Sequence, residues 1–563
     1  MTHELSLAPE IIADYTARGW WGELTVADYV AVQAERVPEK TAYVCEGRRL
    51  SWRDYDAQID ELASILAPLL EPGARFGLLL PDAEEFHVAL CAAERSGTVA
   101  VGMGARSGRG EIHHLMSRAE ARVLVMRAEH RDHGLLDYAS DLREDGWQLD
   151  AIVEVAPAGP QRLLRWDGER FSEAPMERAE IAEVRARALG PNDLSMLNST
   201  SGTTGRPKLV TQFANRWIHF SDLAFAAADF TEDDVMLGAV PGPFGFGLWS
   251  AHYAPAMLGM TTVLTERFSA EETIRLLQEE RVTILACVST QFKMMLDTPA
   301  IETAEGLVLR AMFTGGEAVP YERATQFEDR VGASVLQFYG SNESGAISAT
   351  SLRDTREHRL KTAGRVYDHI GLRLYDPEGN DITATGGPGI PAILGPTISM
   401  GYFGDDAANE ELFRDGRLLM PDLVTVDADG YLRVVGRTSD LIIRGGKNIS
   451  AVEVEEAVEA HPSVVMASAV PVPDPIFGER IGVAVTVRDR AVTVAELTAF
   501  LAERGASKHI YPEKVVVVDE LPRAAGGKVA KGQVRELVAA PAGVDVDLRA
   551  GILQGASSGA ARA

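Results

Sequence analysis

Helical patterns alternate with short, β-branched strands through most of the chain. The strand-like run RFGLLLPD is followed by the helical pattern AEEFHVALCAAERSG and then by VAVGMG, and ETIRLLQEER is followed by VTILACVS. Helices that alternate with apolar strands cover the faces of a largely parallel sheet. This pattern predicts an α/β fold.

The pattern changes from about residue 366. Runs such as HIGLRLYD, PAILGP and YLRVVGR are separated by Gly, Asp and Pro turns, which predicts a more antiparallel, β-barrel-like subdomain. After GRTSDLIIRGGKNIS the order is helix, strand, strand, helix, strand, which is typical of a compact α+β unit. We therefore expect a large N-terminal domain at 1–439, a small C-terminal domain at 440–540, and a disordered tail, rich in Ala, Gly and Ser, at 541–563.

Composition excludes several classes of function. Fifty-five Lys and Arg against 82 Asp and Glu give a formal net charge of −27. A surface this acidic repels phosphate backbones and anionic membranes, so we expect no nucleic-acid partner. No apolar stretch reaches the ~20 residues of a membrane span, and the N-terminus has no signal-peptide core. These features favour a cytoplasmic protein.

The cysteines are too few and too scattered for a structural role. Cys45, Cys91 and Cys287 are odd in number and far apart in the sequence. Disulfide frameworks and zinc clusters need paired or closely spaced cysteines. We expect three reduced thiols.

The segment 198–208, NSTSGTTGRPK, carries the strongest chemical signal. Its two glycines let the backbone approach a phosphate closely, its hydroxyl groups add donors, and Lys208 adds a positive charge at the end of the loop. The preceding DLSMLN is strand-like, and loops that leave strands are ligand sites in α/β folds. It is not a Walker loop, because Arg-Pro-Lys follows Gly205. The segment predicts a loop that binds a polyanion.

This segment resembles the signature (S/T)SGTTGxPK of the adenylate-forming superfamily, which contains acyl-CoA synthetases, standalone adenylation domains and luciferases. Further motifs follow in the family's order, so the resemblance covers about residues 20–540. It implies a large N-terminal domain of two α/β subdomains and the barrel-like subdomain, followed by a small mobile domain. It also implies ATP, Mg²⁺ and coenzyme A, with Lys208 in catalysis. The nucleotide-binding residues implied in the loop are Thr200, Ser201, Gly202, Thr203, Thr204 and Gly205.

The segment 338–344, FYGSNES, resembles the family's YGxTE motif. A carboxylate on a glycine-flanked turn suits Mg²⁺ held between protein and nucleotide phosphates. The resemblance makes Glu343 a catalytic metal ligand and places Tyr339 against adenine. Asn342 stands where the family usually has Thr, and its amide can still donate to the α-phosphate.

Two weaker motifs extend the implied nucleotide site. Gly315, Gly316 and Glu317 resemble the family's GGE segment beside adenine and the acyl pocket. Asp422 resembles the aspartate of the family's TGD motif, which accepts the ribose hydroxyls. Here Met-Pro precedes the aspartate, and Pro421 restricts the backbone before it.

The C-terminal motifs concern the second domain. The segment 436–449 resembles the family's hinge motif, in which Arg437 would contact ribose or phosphate and Asp440 would be the pivot. Gly445 and Gly446 would form the turn that lines the coenzyme A channel. LPRAAGGK resembles PRTxxGK, so Lys528 would bridge the carboxylate and the α-phosphate, where charge develops in the transition state.

The implied reaction activates a carboxylic acid. ATP and the acid form an acyl adenylate and pyrophosphate, and a thiol then displaces AMP. Coenzyme A is the favoured thiol; a carrier-protein pantetheine is the alternative, and a non-enzymatic binding protein built on the same fold is a third hypothesis. A homodimer is compatible with the sequence.

The segment 240–249, VPGPFGFGLW, occupies the place where the family sets acyl specificity. It lacks the Asp of amino-acid activators and the His-Asn of hydroxyaryl activators, and it looks more like benzoate and alicyclic-acid ligases. We expect a bulky apolar acid (aryl, alicyclic or polycyclic), with glycines leaving room between apolar walls. Ordinary aromatic core packing is the alternative. The predicted pocket residues are Phe244, Gly245, Phe246, Gly247 and Trp249.

Overall fold

The computed structural model describes residues 7–130, 133–144, 146–157, 161–200, 207–316, 319–437, 440–445, 447–488, 490–523 and 529–540. Several predicted features lie outside these residues: 201–205 of the phosphate loop, Glu317, Gly446, Lys528 and the tail 541–563.

The strands are numbered in chain order. They are β1 Thr41–Cys45, β2 Arg48–Ser51, β3 Arg75–Leu79, β4 Val99–Gly102, β5 Val123–Met126, β6 Glu129–His130, β7 His133–Gly134, β8 Ala151–Glu154, β9 Arg162–Trp166, β10 Phe171–Ala174, β11 Met196–Ser199, β12 Leu209–Gln212, β13 Val235–Gly238, β14 Thr261–Leu264, β15 Ile284–Ala286, β16 Ala311–Gly315, β17 Ser334–Ser341, β18 Gly345–Ala349, β19 Arg365–Val366, β20 Arg373–Tyr375, β21 Ile390–Ile393, β22 Phe413–Arg414, β23 Arg417–Leu419, β24 Asp422–Val426, β25 Leu432–Arg437, β26 Leu441–Arg444, β27 Lys447–Ser450, β28 Val464–Asp474, β29 Gly478–Val487 and β30 Lys514–Val517.

The α-helices are numbered in the same way. They are α1 Pro9–Ala17, α2 Val26–Arg36, α3 Trp52–Leu69, α4 Glu84–Ser96, α5 Arg109–Arg118, α6 Leu135–Glu144, α7 Ile181–Arg185, α8 Ala214–Ala228, α9 Gly245–Leu248, α10 Ala254–Leu258, α11 Ala270–Glu279, α12 Ser289–Asp297, α13 Ala300–Thr303, α14 Tyr321–Val331, α15 Arg356–Lys361, α16 Asp406–Leu412, α17 Ala451–Glu459, α18 Val494–Glu503 and α19 Lys531–Ala539. A π-helix spans Trp249–Tyr253, and 3₁₀ turns span Thr383–Thr385 and Lys508–Ile510.

Two large sheets form the first part of the chain. One has the strand order β19-β18-β17-β16-β15-β13-β14-β1-β2, and the other has the order β10-β9-β8-β5-β3-β4-β11-β12. The central strands run parallel, for example β16 beside β17 and β3 beside β4, while antiparallel strands flank them. Parallel central strands with helical crossovers confirm the predicted pair of α/β subdomains.

Helix α4 explains how the two sheets share one core. All thirteen of its residues are buried: residues 88–93 are apolar, and the charged residues nearer its two ends form ion pairs or hydrogen bonds. The hydrophobic cluster that contains Phe86 also contains Tyr43 and Phe313 of the first sheet and Phe76 of the second. The sheets therefore have a common apolar interior. Cys45, Cys91 and Cys287 are buried free thiols.

The region after residue 366 is antiparallel, as predicted. Its sheets have the orders β20-β21-β23-β22 and β24-β25, and a bridge between Gly389 and Val424 joins them. This small β-structure follows the first sheet in the chain and supplies Asp422, the first residue of β24.

Contacts divide the chain into two compact units, the second of which begins at Gly436. In the second unit β27, β26, β29, β28 and β30 form one sheet, and its elements follow the predicted order α17, β28, β29, α18, β30. The domain limits of 439 and 440 stay a prediction. Within the described residues, the structure contains no helix with the length and apolar character of a membrane span.

Candidate active site

The ends of the phosphate loop are fixed by a β-hairpin. Strands β11 and β12 pair antiparallel on either side of the loop. The Thr200 N–H donates to the Lys208 carbonyl at 2.9 Å, and the Lys208 N–H donates to Thr200 Oγ1 at 3.2 Å. These bonds hold Thr200 and Lys208 at the base of the loop, so Lys208 has a defined position relative to the second sheet.

Glu343 lies in a tight turn between β17 and β18. The Ser341 N–H donates to Ser344 Oγ at 2.8 Å, and the Glu343 N–H donates to Ser341 Oγ at 3.2 Å. A Cβ at Gly340 would lie 1.8 Å from the Gly345 carbonyl oxygen, so only glycine fits there. The turn therefore holds the Glu343 backbone in one place.

Tyr402 connects the two predicted catalytic residues of this unit. Its hydroxyl donates to Glu343 Oε1 at 2.8 Å, and Lys208 Nζ lies 4.7 Å from its ring centroid. Burial, followed by the charge of Glu343, raises the pKa of Tyr402, so the phenol stays a proton donor. Tyr402 was not predicted from the sequence, because an isolated tyrosine carries no signal of its partners.

The predicted adenine and ribose residues also meet. The Tyr339 hydroxyl donates to Asp422 Oδ2 at 2.8 Å, and both side chains are buried. Gly315 ends β16 next to β17, and Gly316 has a φ of +78°. A Cβ at Gly315 would lie 2.5 Å from the Phe338 carbonyl oxygen, so this glycine permits the close approach of the two strands.

The buried guanidinium of Arg216 donates hydrogen bonds to the main chain of the Glu343 turn. Arg216 donates to the carbonyl oxygens of Thr397 at 2.8 Å, Asn342 at 2.8 Å and Glu343 at 3.2 Å. Burial lowers the pKa of Arg216 to about 9, against the opposing effects of Tyr253 and Glu343. The guanidinium is still charged at neutral pH. Arg216 was not predicted from the sequence, because a single arginine within a helical pattern is typical of a surface residue.

The acyl segment is packed differently from the prediction. A Cβ at Gly247 would lie 2.1 Å from the Pro241 carbonyl oxygen, and one at Gly245 would lie 2.6 Å from the Trp217 ring. The prediction that these glycines leave room for a ring is wrong, because both allow close packing of the protein itself. They cannot serve as substrate space in the way expected.

The aromatic residues of this segment divide into two groups. Trp249 is fully buried against Phe313 and Phe338, with ring centroids 5.2 and 5.1 Å away, so the core-packing alternative applies to it. Phe246 stacks on Trp249 at 5.6 Å and is half-buried, as is Phe244. The two phenylalanines are the pocket candidates that keep exposed surface.

The Asp82 carboxyl group, which lies outside residues 240–249 in the sequence, contacts that segment. Asp82 Oδ1 accepts from the Gly242 N–H at 2.6 Å, and burial raises the pKa of Asp82 to about 7. Asp82 follows β3 and lies far from residues 240–249 in the sequence. It was therefore not predicted, because the prediction about charge rested on that segment alone.

The second unit contains the predicted hinge and channel residues. Asp440 Oδ2 lies 3.4 Å from Lys531 Nζ, which also lies 3.0 Å from Glu455 Oε1. Gly445, with a φ of +59°, turns the chain between β26 and β27, and its N–H donates to the Phe477 carbonyl at 2.8 Å. Arg437 ends β25. The hinge and channel roles stay predictions.

The residues around Glu343 fit a magnesium ion that is shared with a nucleotide. In the described part of the chain, no three His, Cys, Asp or Glu side chains form a metal-binding group. Mg²⁺ is commonly bound by one or two carboxylates together with substrate phosphates rather than by a protein cage. Glu343, close to Lys208 and the ends of the phosphate loop, matches that donor set.

Comparison with known proteins identifies the family. Residues 30–403 match the AMP-binding enzyme family, and residues 453–528 match the AMP-binding enzyme C-terminal domain. The chain belongs to the AMP-binding enzymes.

Curated relatives extend over nearly the whole chain. The chain is 28% identical to the medium-chain fatty-acid–CoA ligase of Escherichia coli, covering 93% of this chain and 92% of that protein. It is 28% identical to the 2,3-dihydroxybenzoate-AMP ligase of Bacillus subtilis, covering 94% and 96% of the two chains. It is 30% identical to a feruloyl-CoA synthase of Amycolatopsis, covering 89% and 97%.

A solved structure supports the fold. The anthranilate CoA ligase AuaEII, in complex with anthranoyl-AMP, matches with a TM-score of 0.80 and 21% identity over 92% of this chain and 97% of that one. The family and the curated relatives together define an ATP-dependent, AMP-forming acid–thiol ligase that acts through an acyl adenylate.

The packing of Gly247 gives a stability prediction. Gly247→Ala should lower the free energy of unfolding by about 1–3 kcal/mol, because its Cβ meets backbone that cannot move aside. Gly110→Ala is the matched control: Gly110 lies in α5 with open space around it, and alanine there should stabilise by about 0.5 kcal/mol. Urea unfolding measures both. Equal stability of the two variants would contradict the packing assigned to Gly247.

The contact between Tyr402 and Glu343 gives a second prediction. Tyr402→Phe removes the hydroxyl that orients Glu343 and keeps the ring beside Lys208. We expect ATP–pyrophosphate exchange to fall by about 10- to 150-fold in a variant that remains folded, because a hydrogen bond to a charged group contributes about 1.5–3 kcal/mol. Tyr375→Phe, in β20, is the control. Exchange at the wild-type rate in Tyr402→Phe would contradict the positioning of Glu343 by this phenol.

Proposed function

We propose that this enzyme joins coenzyme A to a bulky, apolar carboxylic acid of the aryl, alicyclic or polycyclic class. The observation that carries the proposal is the acyl segment, in which Phe244 and Phe246 keep exposed surface and no residue is charged. The Gly245 N–H donates to Asn342 Oδ1 at 2.7 Å, so the segment adjoins the turn that bears Glu343. An apolar wall beside the nucleotide site suits the ring of an acid whose carboxylate faces ATP.

In the first step the carboxylate oxygen attacks the α-phosphorus of ATP. The new P–O bond forms as the bond to pyrophosphate breaks, and Lys208 neutralises the departing charge. Glu343 would hold Mg²⁺, which supplies further charge compensation on the phosphates when bound. Tyr339 and Asp422 would orient adenine and ribose, and Lys528 would stabilise the charge on the oxygens being transferred.

In the second step the thiol of coenzyme A attacks the acyl carbon. The C–S bond forms, the bond from carbon to the AMP oxygen breaks, and the thiol proton leaves to solvent. The second unit would pivot at Asp440 before this step. The rotation would move Lys528 away from the acyl adenylate and bring the turn at Gly445 and Gly446 into its place. The ion pair of Asp440 with Lys531 would help to set the conformation of the hinge.

Carrier-protein loading is the second candidate function. It is favoured by one observation: the chain is 29% identical, over 92% of each chain, to the salicyl-AMP ligase / salicyl-S-ArCP synthetase of Mycobacterium tuberculosis, and this identity is close to the 28% found with a CoA ligase. The two functions share the first step and differ only in the thiol that consumes the adenylate.

The deciding experiment supplies a panel of carboxylic acids with ATP. Pyrophosphate exchange first ranks the acids, and mass spectrometry then detects the thioester with coenzyme A or with a pantetheinylated carrier protein. We expect benzoate-like or alicyclic acids to exceed acetate in kcat/KM by at least about 10-fold, since each buried methylene contributes ~1 kcal/mol. Acyl-CoA should form at the rate at which AMP is released.

Two outcomes would contradict the proposal. Preference for a short linear or amino acid would reject the substrate class. Thioester formation on the carrier protein alone would reject coenzyme A and establish the second candidate.

The proposed role of Lys528 separates the two half-reactions. Lys528→Ala should reduce adenylation by about 100-fold or more, because it removes a cation from the transition state, while thiolation of supplied acyl adenylate stays near wild type. Lys508→Ala, an exposed lysine of the same unit, is the control for charge alone. Equal loss in both half-reactions would refute the assignment.

A further inference from the structure

One side chain connects the acyl segment with the turn that bears the predicted metal ligand. Asn342 Oδ1 accepts from the Gly245 N–H at 2.7 Å and from Asn198 Nδ2 at 3.4 Å. Asn342 Nδ2 lies 3.5 Å from the Ser199 carbonyl oxygen, at the end of β11 before the phosphate loop. Asn342 therefore contacts the acyl segment and the strand that leads into the phosphate loop, next to Glu343.

The contact with Asn342 gives the Gly245 N–H, at the start of α9, a hydrogen-bond acceptor. The first N–H groups of a helix have no partner within the helix, and Phe244, at the N-cap of α9, offers no side-chain acceptor. Asn342 supplies that acceptor from another element. The approach also requires glycine, because a Cβ at Gly245 would lie 2.7 Å from Asn342 Oδ1.

Neighbouring groups fix the orientation of the Asn342 amide. Asn198 Nδ2 also donates to the Pro243 carbonyl at 3.0 Å, and Asn198 Oδ1 accepts from Gln212 Nε2 at 2.7 Å. Arg216 donates to the Asn342 main-chain carbonyl. With donors converging on Oδ1, the amide nitrogen faces the opposite side, toward the end of β11.

We infer that Asn342 is a positioning residue with two separable effects. Oδ1 holds the Gly245 N–H and so sets the affinity for the acid, while Nδ2, which donates to the Ser199 carbonyl at the end of β11, holds the strand before the phosphate loop and so sets the affinity for ATP. The inference rests on the proposed function of 240–249 as the acyl segment. A threonine, the residue usual in the family, has a side chain one bond shorter. Its hydroxyl cannot reach the Gly245 N–H within hydrogen-bond distance unless the backbone moves.

Two substitutions separate these roles. Asn342→Thr loses the acceptor for Gly245 but keeps a donor for the nucleotide, so KM for the acid should rise by about 2- to 12-fold with KM for ATP within 2-fold of wild type. Asn342→Asp keeps the acceptor but replaces the donor with a negative charge. It should raise KM for ATP by about 10-fold or more and KM for the acid by a smaller factor, because the ATP phosphates carry more negative charge than a single carboxylate.

The kinetic measurement uses pyrophosphate exchange on the full chain with the best acid of the panel. Asn380→Thr, in an exposed turn, is the matched control and should change neither KM. A merely structural role of Asn342 would change stability, or kcat in both variants, without this opposite pattern. A parallel change of both KM values in the two variants would overturn the inference.

A second readout does not depend on the acid. Hydrogen exchange of peptides that cover Gly245 should be faster in Asn342→Thr than in wild type, by the same 2- to 12-fold factor, and unchanged in Asn342→Asp. Equal protection in all three proteins would overturn the inference even if no acid were adenylated. If exchange and KM values follow the expected pattern while no thioester with coenzyme A forms, the proposed thiol is wrong and the role of Asn342 stands.

Discussion

The hydrogen bonds of the buried Arg216 guanidinium are the interactions on which the predicted nucleotide site depends. Its donors satisfy main-chain carbonyls of Asn342, Glu343 and Thr397, which belong to segments more than 50 residues apart in sequence. A charge taken out of water is expensive unless every donor finds an acceptor, so the geometry around it is narrowly defined. The hydrogen bonds from Arg216 thereby fix the main chain of the turn that carries Glu343, while the Glu343 carboxylate accepts from the Tyr402 hydroxyl.

Rigid support of this kind suits a reaction that is almost entirely electrostatic. In reactions at the phosphorus of a nucleotide, the protein forms few covalent bonds and acts mainly by positioning and charge. Charged side chains that are already in place do not have to reorganise as the reaction proceeds. Tyr402 also helps to hold charged groups in place, because its ring lies beside Lys208 and its hydroxyl donates to Glu343. Tyr402 thus contacts both the cation and the anion that are predicted to act on the nucleotide phosphates.

The sequence predicted those features that follow from local patterns. The alternation of strand and helix predicted the α/β fold with largely parallel strands, while the division into two α/β subdomains came from the family resemblance. The turn-rich runs after residue 366 predicted the antiparallel region. The strand before the phosphate loop, and the order of elements in the second unit, were also predicted. Each of these depends on residues within a few positions of one another, where spacing alone carries the information.

Long-range contacts could not be predicted in the same way. Arg216, Tyr402 and Asp82 act through partners 59 to 181 residues away, and nothing beside them in the sequence marks them. The two glycines of the acyl segment show the same limit. Glycine can mean space for a ligand or close approach of two parts of the protein, and only the positions of Pro241 and Trp217 distinguish them.

The packing of those glycines changes where acid specificity should be sought. With Gly247 against Pro241 and Trp249 in the core, Phe244 and Phe246 are the residues of the proposed acyl pocket that keep exposed surface. Asp82 contacts the same segment, held to the Gly242 N–H with its pKa raised to about 7. Its carboxyl group fixes the turn before Phe244, so the shape of the apolar wall depends on a polar contact from the other sheet. In the proposed acyl pocket we therefore expect specificity to depend on how the two α/β subdomains pack together, rather than on one segment.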